Sequence, residues 1–204
     1  MKKYLVIGNP VDHSLSPKLH NFWIKQNNVN AIYDKKLIMA QEIKDIISDL
    51  KQDIISGINV TIPFKIEIIP FLDELTLIAK ETGSVNTVYK KNNKIIGDNT
   101  DVGGFEYAMK DINFKLDGKK AFIIGAGGVA PSIISALKKG GIKEIFITNR
   151  TKEKAENLKN LFKDLEIVEW GERIDFDMII NATSIGLKKE DGLNFDYSAN
   201  GPDK

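Results

Sequence analysis

Phe122-Ile123-Ile124-Gly125-Ala126-Gly127-Gly128-Val129-Ala130 is the stretch whose reading decides the fold of this chain. An apolar run enters a glycine turn and a helical pattern leaves it, so the segment reads as strand, tight turn and helix N-terminus. Gly125, Gly127 and Ala130 keep the G-x-G-x-x-G/A spacing. In that spacing the first glycine permits the turn, the second admits a phosphate close to the backbone, and a small third residue lets helix pack on strand. A glycine turn alone is a weak signal, since α/β proteins use such turns freely. The next apolar run, Glu144–Thr148, strengthens it by ending in Asn149-Arg150-Thr151. An NAD site usually carries Asp or Glu there for the ribose 2′-hydroxyl, whereas arginine suits the 2′-phosphate of NADP. The turn therefore predicts a doubly wound α/β domain that binds NADP.

Outward from the turn, short apolar runs alternate with helical patterns, as expected for βα units and a largely parallel sheet. Downstream, the pattern predicts helices over Ala130–Lys139 and Lys152–Phe162 and strands over Leu165–Glu169 and Asp177–Ala182. Upstream, strands are expected at Lys3–Ile7, Ala31–Leu37 and Gly57–Val60, and a hairpin joins Val85–Tyr89 to Lys94–Gly97 through the turn Lys91-Asn92-Asn93. Helices are expected at Lys18–Gln26, Ala40–Lys51, Phe64–Leu72 and Leu75–Thr82, and from Asp101 to about Asp111. Ser16-Pro17 and Pro63 mark helix starts in this reading. The pattern restarts near Lys119, which puts the domain boundary within Asp101–Leu116 and gives domains 1–101 and 102–204.

The bulk composition narrows the function classes. The 204 residues are 42% apolar, enough for two proper cores, and the formal net charge of +1 gives no footprint for nucleic acid or an anionic membrane. Zero cysteines exclude disulfides, cysteine nucleophiles and thiolate metal sites. The apolar run after Met1-Lys2-Lys3 is too short for a signal peptide, and no stretch reaches the length of a membrane span. A cytoplasmic protein with no metal is expected, and its partners are small molecules.

Three polar clusters break the ordinary patterning of the first half. Ser14 and Ser16 lie two apart in the loop after the first strand, where ligands bind in open α/β sheets, and two hydroxyls there suit a carboxylate. His13 reads as a loop residue. Asn59 and Thr61 end a buried strand on alternating positions and so share a face. Lys65 follows in what reads as the first helical turn, where the dipole disfavours its charge and brings it toward proton transfer. Asn86-Thr87 and Asn99-Thr100-Asp101 form the third cluster, with Asp101 as a helix N-cap that can also pair with a lysine.

These motifs together resemble the shikimate dehydrogenase family. S-L-S-P from Ser14, N-V-T-I-P-F-K from Asn59, G-S-V-N-T from Gly83, N-T-D-x-x-G from Asn99, G-A-G-G from Gly125, N-R-T from Asn149 and N-A-T-S-I-G-L from Asn181 stand in the family's order over nearly the whole chain. The resemblance implies an N-terminal α/β substrate domain and a C-terminal Rossmann-like (doubly wound) NADP-binding domain. It implies NADPH-dependent, reversible reduction of 3-dehydroshikimate to shikimate, a step toward the aromatic amino acids, by an oxidoreductase acting on a CH–OH group. Ser14 and Ser16 would bind the substrate carboxylate, and Asn59, Thr61, Lys65, Asn86 and Asp101 the ring hydroxyls. Lys65 and Asp101 would be the catalytic pair. Gly125, Ala126, Gly127, Gly128 and Val129 would line the pyrophosphate, and Asn149, Arg150 and Thr151 the 2′-phosphate. Lys154 stands where many members have a second arginine and keeps the positive charge without the planar fork. Thr183 and Ile185 would lie near the nicotinamide ribose.

Family members continue beyond the point where this chain stops, into a further strand, a tyrosine near the substrate and a G-x-x-M-L-x-x-Q segment. The resemblance thus implies a C-terminally truncated chain with an incomplete cofactor domain. An exposed sheet edge predicts much-reduced activity and stability. Two alternatives stay open: a quinate/shikimate dehydrogenase of broader specificity, and a shikimate- and NADP-binding protein with little turnover. A monomer or a homodimer fits either.

Overall fold

The computed structural model describes residues 1–172, 174–186 and 192. The chain divides into two compact units, Met1–Asp101 and Val102–Lys204.

In the first unit the strands are β1 (Lys2–Gly8), β2 (Ala31–Leu37), β3 (Gly57–Val60), β4 (Glu74–Leu75), β5 (Thr87–Lys91) and β6 (Lys94–Asp98), and the helices are α1 (Ser16–Gln26), α2 (Ile43–Lys51) and α3 (Leu77–Thr82). The six strands make one sheet in the order β2-β1-β3-β5-β6-β4. It is mixed, not largely parallel: β1 runs parallel to β2 and β3, while β5 is antiparallel to both β3 and β6. Asn92 and Asn93 close the β5–β6 hairpin with φ of 52° and 60°. Those left-handed values match the twist of a two-residue hairpin turn, and asparagine tolerates them.

Alternation along β1 separates two faces. Leu5 and Ile7 join the main core with Ile58, Val60 and the α2 residues Ile43, Ile46, Ile47 and Leu50, whereas Val6 packs on the other face with Val11 and Tyr33. The α2 residues repeat at i, i+3, i+4 and i+7, and each contributes about 1.5–3 kcal/mol when fully buried. Even residues of β3 therefore serve the core, leaving Asn59 for the Tyr33 face.

The expected helix over Phe64–Leu72 is a run of turns ending in a short 3-10 turn, Ile69–Phe71. Pro70 explains it: in a helix interior it has no N–H to donate and its ring crowds the preceding carbonyl. The expected Leu75–Thr82 helix starts later, at Leu77, because Glu74–Leu75 pairs with β6 and Thr76 Oγ1 caps the helix through the Ala79 amide at 3.3 Å. Ala40–Glu42 is a 3-10 turn ahead of α2. Ser16 is the first residue of α1, with Leu15 at the cap position and no side-chain cap.

The second unit has α4 (Asp101–Asp111) entering it, then β7 (Lys120–Ile124), α5 (Ala130–Lys139), β8 (Glu144–Thr148), α6 (Lys152–Leu161), β9 (Leu165–Ile167) and β10 (Met178–Asn181). Its four strands are all parallel in the order β10-β7-β8-β9. Read from β7 as first, this is the 3-2-1-4 order of a dinucleotide-binding sheet, with its switch point between β7 and β10. β7 is buried over Ala121–Ile124, and α5 is buried along most of its length. No described helix is long and apolar enough to cross a membrane.

Candidate active site

Lys65 and Asp101 meet. Lys65 Nζ donates to Asp101 Oδ2 at 2.6 Å, with side chains only 12% and 24% exposed. The other carboxylate oxygen, Oδ1, accepts from Asn86 Nδ2 at 2.7 Å. Lys65 belongs to the run of turns, not to a helix's first turn, so the dipole argument for its reactivity falls. Its position comes instead from the backbone: Val85 N donates to Lys65 O at 2.8 Å, anchoring the turns beside the strand that follows Asn86. Asp101 is the first residue of α4 and not its cap, and its amide donates to Asn99 Oδ1 at 3.0 Å. A half-buried ammonium held by a carboxylate that is itself hydrogen-bonded can give or take a proton at a substrate oxygen.

Asn86 is buried and doubly fixed. Its Oδ1 accepts from the Thr100 amide at 2.9 Å and from Thr87 Oγ1 at 2.9 Å. Asn59 joins the same group, donating from Nδ2 to Thr87 Oγ1 at 3.1 Å and to the Asn86 carbonyl at 3.3 Å. Thr61 lies just past β3, held by its amide to Ile7 O at 2.9 Å. Ser14 and Ser16 are half-buried in the loop after β1, and the Ser16 amide donates to Ser14 Oγ at 3.3 Å. His13 is exposed.

In the second unit the glycine turn closes against the end of β10. Gly125 has φ +107°, and an added Cβ there would sit 2.8 Å from Thr183 Cγ2 and 2.9 Å from the Ala182 carbonyl carbon, so the protein itself demands glycine. Gly127 differs: an added Cβ would meet only Ala182 O, at 3.8 Å, an ordinary contact. Nothing among the described residues requires its missing side chain, which fits a ligand approaching from outside. The Gly125 and Ala126 amides are already donated, to Thr148 O at 2.8 Å and to Asn149 Oδ1 at 2.9 Å. Asn149 thus clamps the turn to the end of β8, with Nδ2 on Thr151 O at 2.8 Å. Arg150 and Lys154 are exposed, and Arg150 makes no ion pair or hydrogen bond among the described residues. Thr183 and Ile185 are organised by Asn181, whose Oδ1 accepts from Thr183 N at 3.0 Å and whose Nδ2 donates to Ile185 O at 2.9 Å. Leu187, the end of the N-A-T-S-I-G-L motif, lies outside the described residues. No group of metal-ligating side chains gathers among the described residues.

Sequence reading missed Tyr33, and it named Thr87 and Asn149 without these links. Tyr33 donates its hydroxyl to Asn59 Oδ1 at 2.6 Å, Thr87 joins Asn59 to Asn86, and Asn149 ties the glycine turn to β8. Only Tyr33 carried a usable signal, since a buried tyrosine hydroxyl needs a partner.

The chain matches the family model of the shikimate dehydrogenase substrate binding domain over residues 6–88 and that of shikimate / quinate 5-dehydrogenase over residues 106–186. It is 56% identical over 203 residues to a shikimate dehydrogenase (NADP(+)) of Pelagibacter ubique, covering 100% of this chain and 77% of that protein. A relative of the same name from Aquifex aeolicus is 44% identical, covering 95% of this chain and 72% of the relative. The solved shikimate dehydrogenase structure from Aquifex aeolicus superposes with a TM-score of 0.91 at 42% identity, over 98% of this chain and 75% of that one. The Thermus thermophilus enzyme in complex with NADP(H) and shikimate gives 0.79 at 31% identity, over 91% and 70%. The chain belongs to the shikimate dehydrogenase family.

Proposed function

We propose that this chain reduces 3-dehydroshikimate to shikimate with NADPH, reversibly, and that Lys65 and Asp101 carry the proton transfer. The observation behind the residue assignment is the pairing of Lys65 Nζ with Asp101 Oδ2 at 2.6 Å, next to Asn86 and Asn59. NADPH, when bound, supplies the hydride for the carbonyl carbon. Lys65 donates a proton from its ammonium to the carbonyl oxygen as that oxygen gains charge, and Asp101 holds the ammonium in place. In the oxidative direction neutral Lys65 takes the proton back. Asn59, Asn86 and Thr61 hold the ring hydroxyls, and Ser14 and Ser16 the carboxylate.

For the cofactor, Gly127 offers the close approach to the pyrophosphate, the α5 N-terminus offers its positive end, and exposed Arg150 with Lys154 takes the 2′-phosphate. Thr183 and Ile185 border the nicotinamide ribose. The first unit then serves as substrate domain and the second as NADP domain, in a cytoplasmic monomer or homodimer. Following NADPH absorbance with 3-dehydroshikimate, beside the Asp101→Asn variant, tests the reading. Turnover in the parent that Asp101→Asn leaves intact refutes the catalytic pair.

A further inference from the structure

One buried tyrosine lies outside every role assigned so far. Tyr33 on β2 is 5% exposed, and its hydroxyl donates to Asn59 Oδ1 at 2.6 Å from across β1. Three contacts fix the ring and its backbone. Asn21 on α1 clamps the Tyr33 main chain with Nδ2 on the carbonyl at 2.7 Å and Oδ1 on the amide at 3.0 Å, and His20 stacks on the ring at 4.1 Å and 5°. From Asn59 the hydrogen bonds run in one direction. Asn59 Nδ2 donates to Thr87 Oγ1 at 3.1 Å, Thr87 Oγ1 donates to Asn86 Oδ1 at 2.9 Å, and Asn86 Nδ2 donates to Asp101 Oδ1 at 2.7 Å. Asp101 Oδ2 holds Lys65.

The direction is set at its ends. A carboxamide turned end for end at Asn59 would face its oxygen toward the Asn86 carbonyl and give up a 2.6 Å bond from Tyr33. The contact to that carbonyl is 3.3 Å, so the short bond from Tyr33 is the stronger anchor. Burial holds the Tyr33 hydroxyl well above its ordinary ionisation range, which keeps it a donor. Hydrogen-bonded chains of this kind act as units, so loss of one link loosens the others.

We infer that Tyr33 and Thr87 are positioning residues, which fix the orientation of the Asn59 and Asn86 carboxamides and so preorganise the groups that grip the ring hydroxyls of the substrate. Both act through the carboxamides they hydrogen-bond, Asn59 and Asn86. The inference rests on the proposed assignment of the site, and it concerns binding geometry, so its readout is shikimate affinity and not turnover.

The test is titration of the full chain with shikimate by calorimetry, for the parent, Tyr33→Phe, Thr87→Val, the double variant and Thr87→Ser. Tyr33→Phe is expected to weaken shikimate about fivefold to tenfold, in line with the net worth of one hydrogen bond, and to leave NADP affinity unchanged. Thr87→Val should weaken it similarly, and Thr87→Ser should retain parental affinity. In the Thr87→Val background Tyr33→Phe should cost less than twofold more, because the chain is already broken. Multiplicative losses in the double variant, parental affinity in Tyr33→Phe, or failure of Thr87→Ser to retain binding overturns the inference. Absence of shikimate binding by the parent chain refutes the site assignment and the inference with it; parental binding insensitive to Tyr33 refutes the inference alone.

Discussion

Asp101 divides its carboxylate between two partners, Lys65 on Oδ2 at 2.6 Å and Asn86 on Oδ1 at 2.7 Å. The isosteric change Asp101→Asn keeps the shape and removes the charge that pairs with the ammonium. We expect kcat to fall by at least about 100-fold, the lower range for loss of a positioned acid–base group, with the melting temperature within a few degrees of the parent. Lys65→Met should lose as much activity, and it also leaves a half-buried carboxylate without its cation, a destabilising condition. Steady-state kinetics beside thermal denaturation separates the two, and variants that keep the kcat of the parent contradict the assignment.

Arg150 stands exposed after β8 with no partner among the described residues, so its charge is available to a ligand. Arg150→Ala should raise KM for NADPH about tenfold to 100-fold, as expected for loss of charged hydrogen bonds. The weaker NADH reaction should hardly change, because NADH brings no 2′-phosphate. A parallel rise in both KM values would place Arg150 outside the 2′-phosphate site.

The glycine turn and the parallel strands of the second sheet were legible in the sequence because each rests on local spacing, and the pairing of Lys65 with Asp101 was implied by the family resemblance. A helix dipole plays no part at Lys65, because Pro70 breaks the helix expected there, and the loop before β5 holds the lysine through the Val85 amide. The β5–β6 hairpin was legible from its Asn-Asn turn, whereas the antiparallel pairing of β5 with β3 was not. The link from Tyr33 through Asn59 to Thr87 was not legible, for a physical reason. Their partners are supplied by tertiary contact across the sheet, and no periodicity in β2 or β5 encodes which polar group lies opposite.

Two glycines should respond oppositely to alanine. At Gly8 an added Cβ lies 2.4 Å from Thr61 Cγ2 and 3.0 Å from Ile62 O, so Gly8→Ala forces Thr61 aside and costs about 1–3 kcal/mol. At Gly104, in the middle of α4, nothing lies within 4 Å, and the helical backbone needs no glycine. Gly104→Ala should stabilise by about 0.5–1 kcal/mol. Urea unfolding reads both, and a destabilised Gly104→Ala would mean that α4 is crowded on that face.

His20 links stability to pH. Burial against Tyr33 and Trp23 lowers its folded-state pKa below the ordinary histidine value of 6.5. The sign follows from proton uptake. Between the two pKa values the unfolded chain binds more protons than the folded one, so stability rises with pH there. The contribution is fully present above the unfolded value and is lost as pH falls through about 6.5 toward the depressed folded value. The parent should therefore melt at a progressively lower temperature as pH drops from about 7.5 to 5.5, a range above the ordinary titration of carboxylates. His20→Phe keeps an aromatic ring against Tyr33 and removes the titration, so its melting temperature should be flatter over the same range. An equal slope in parent and variant would assign the pH dependence to other groups and leave the stacked imidazole without a part in it.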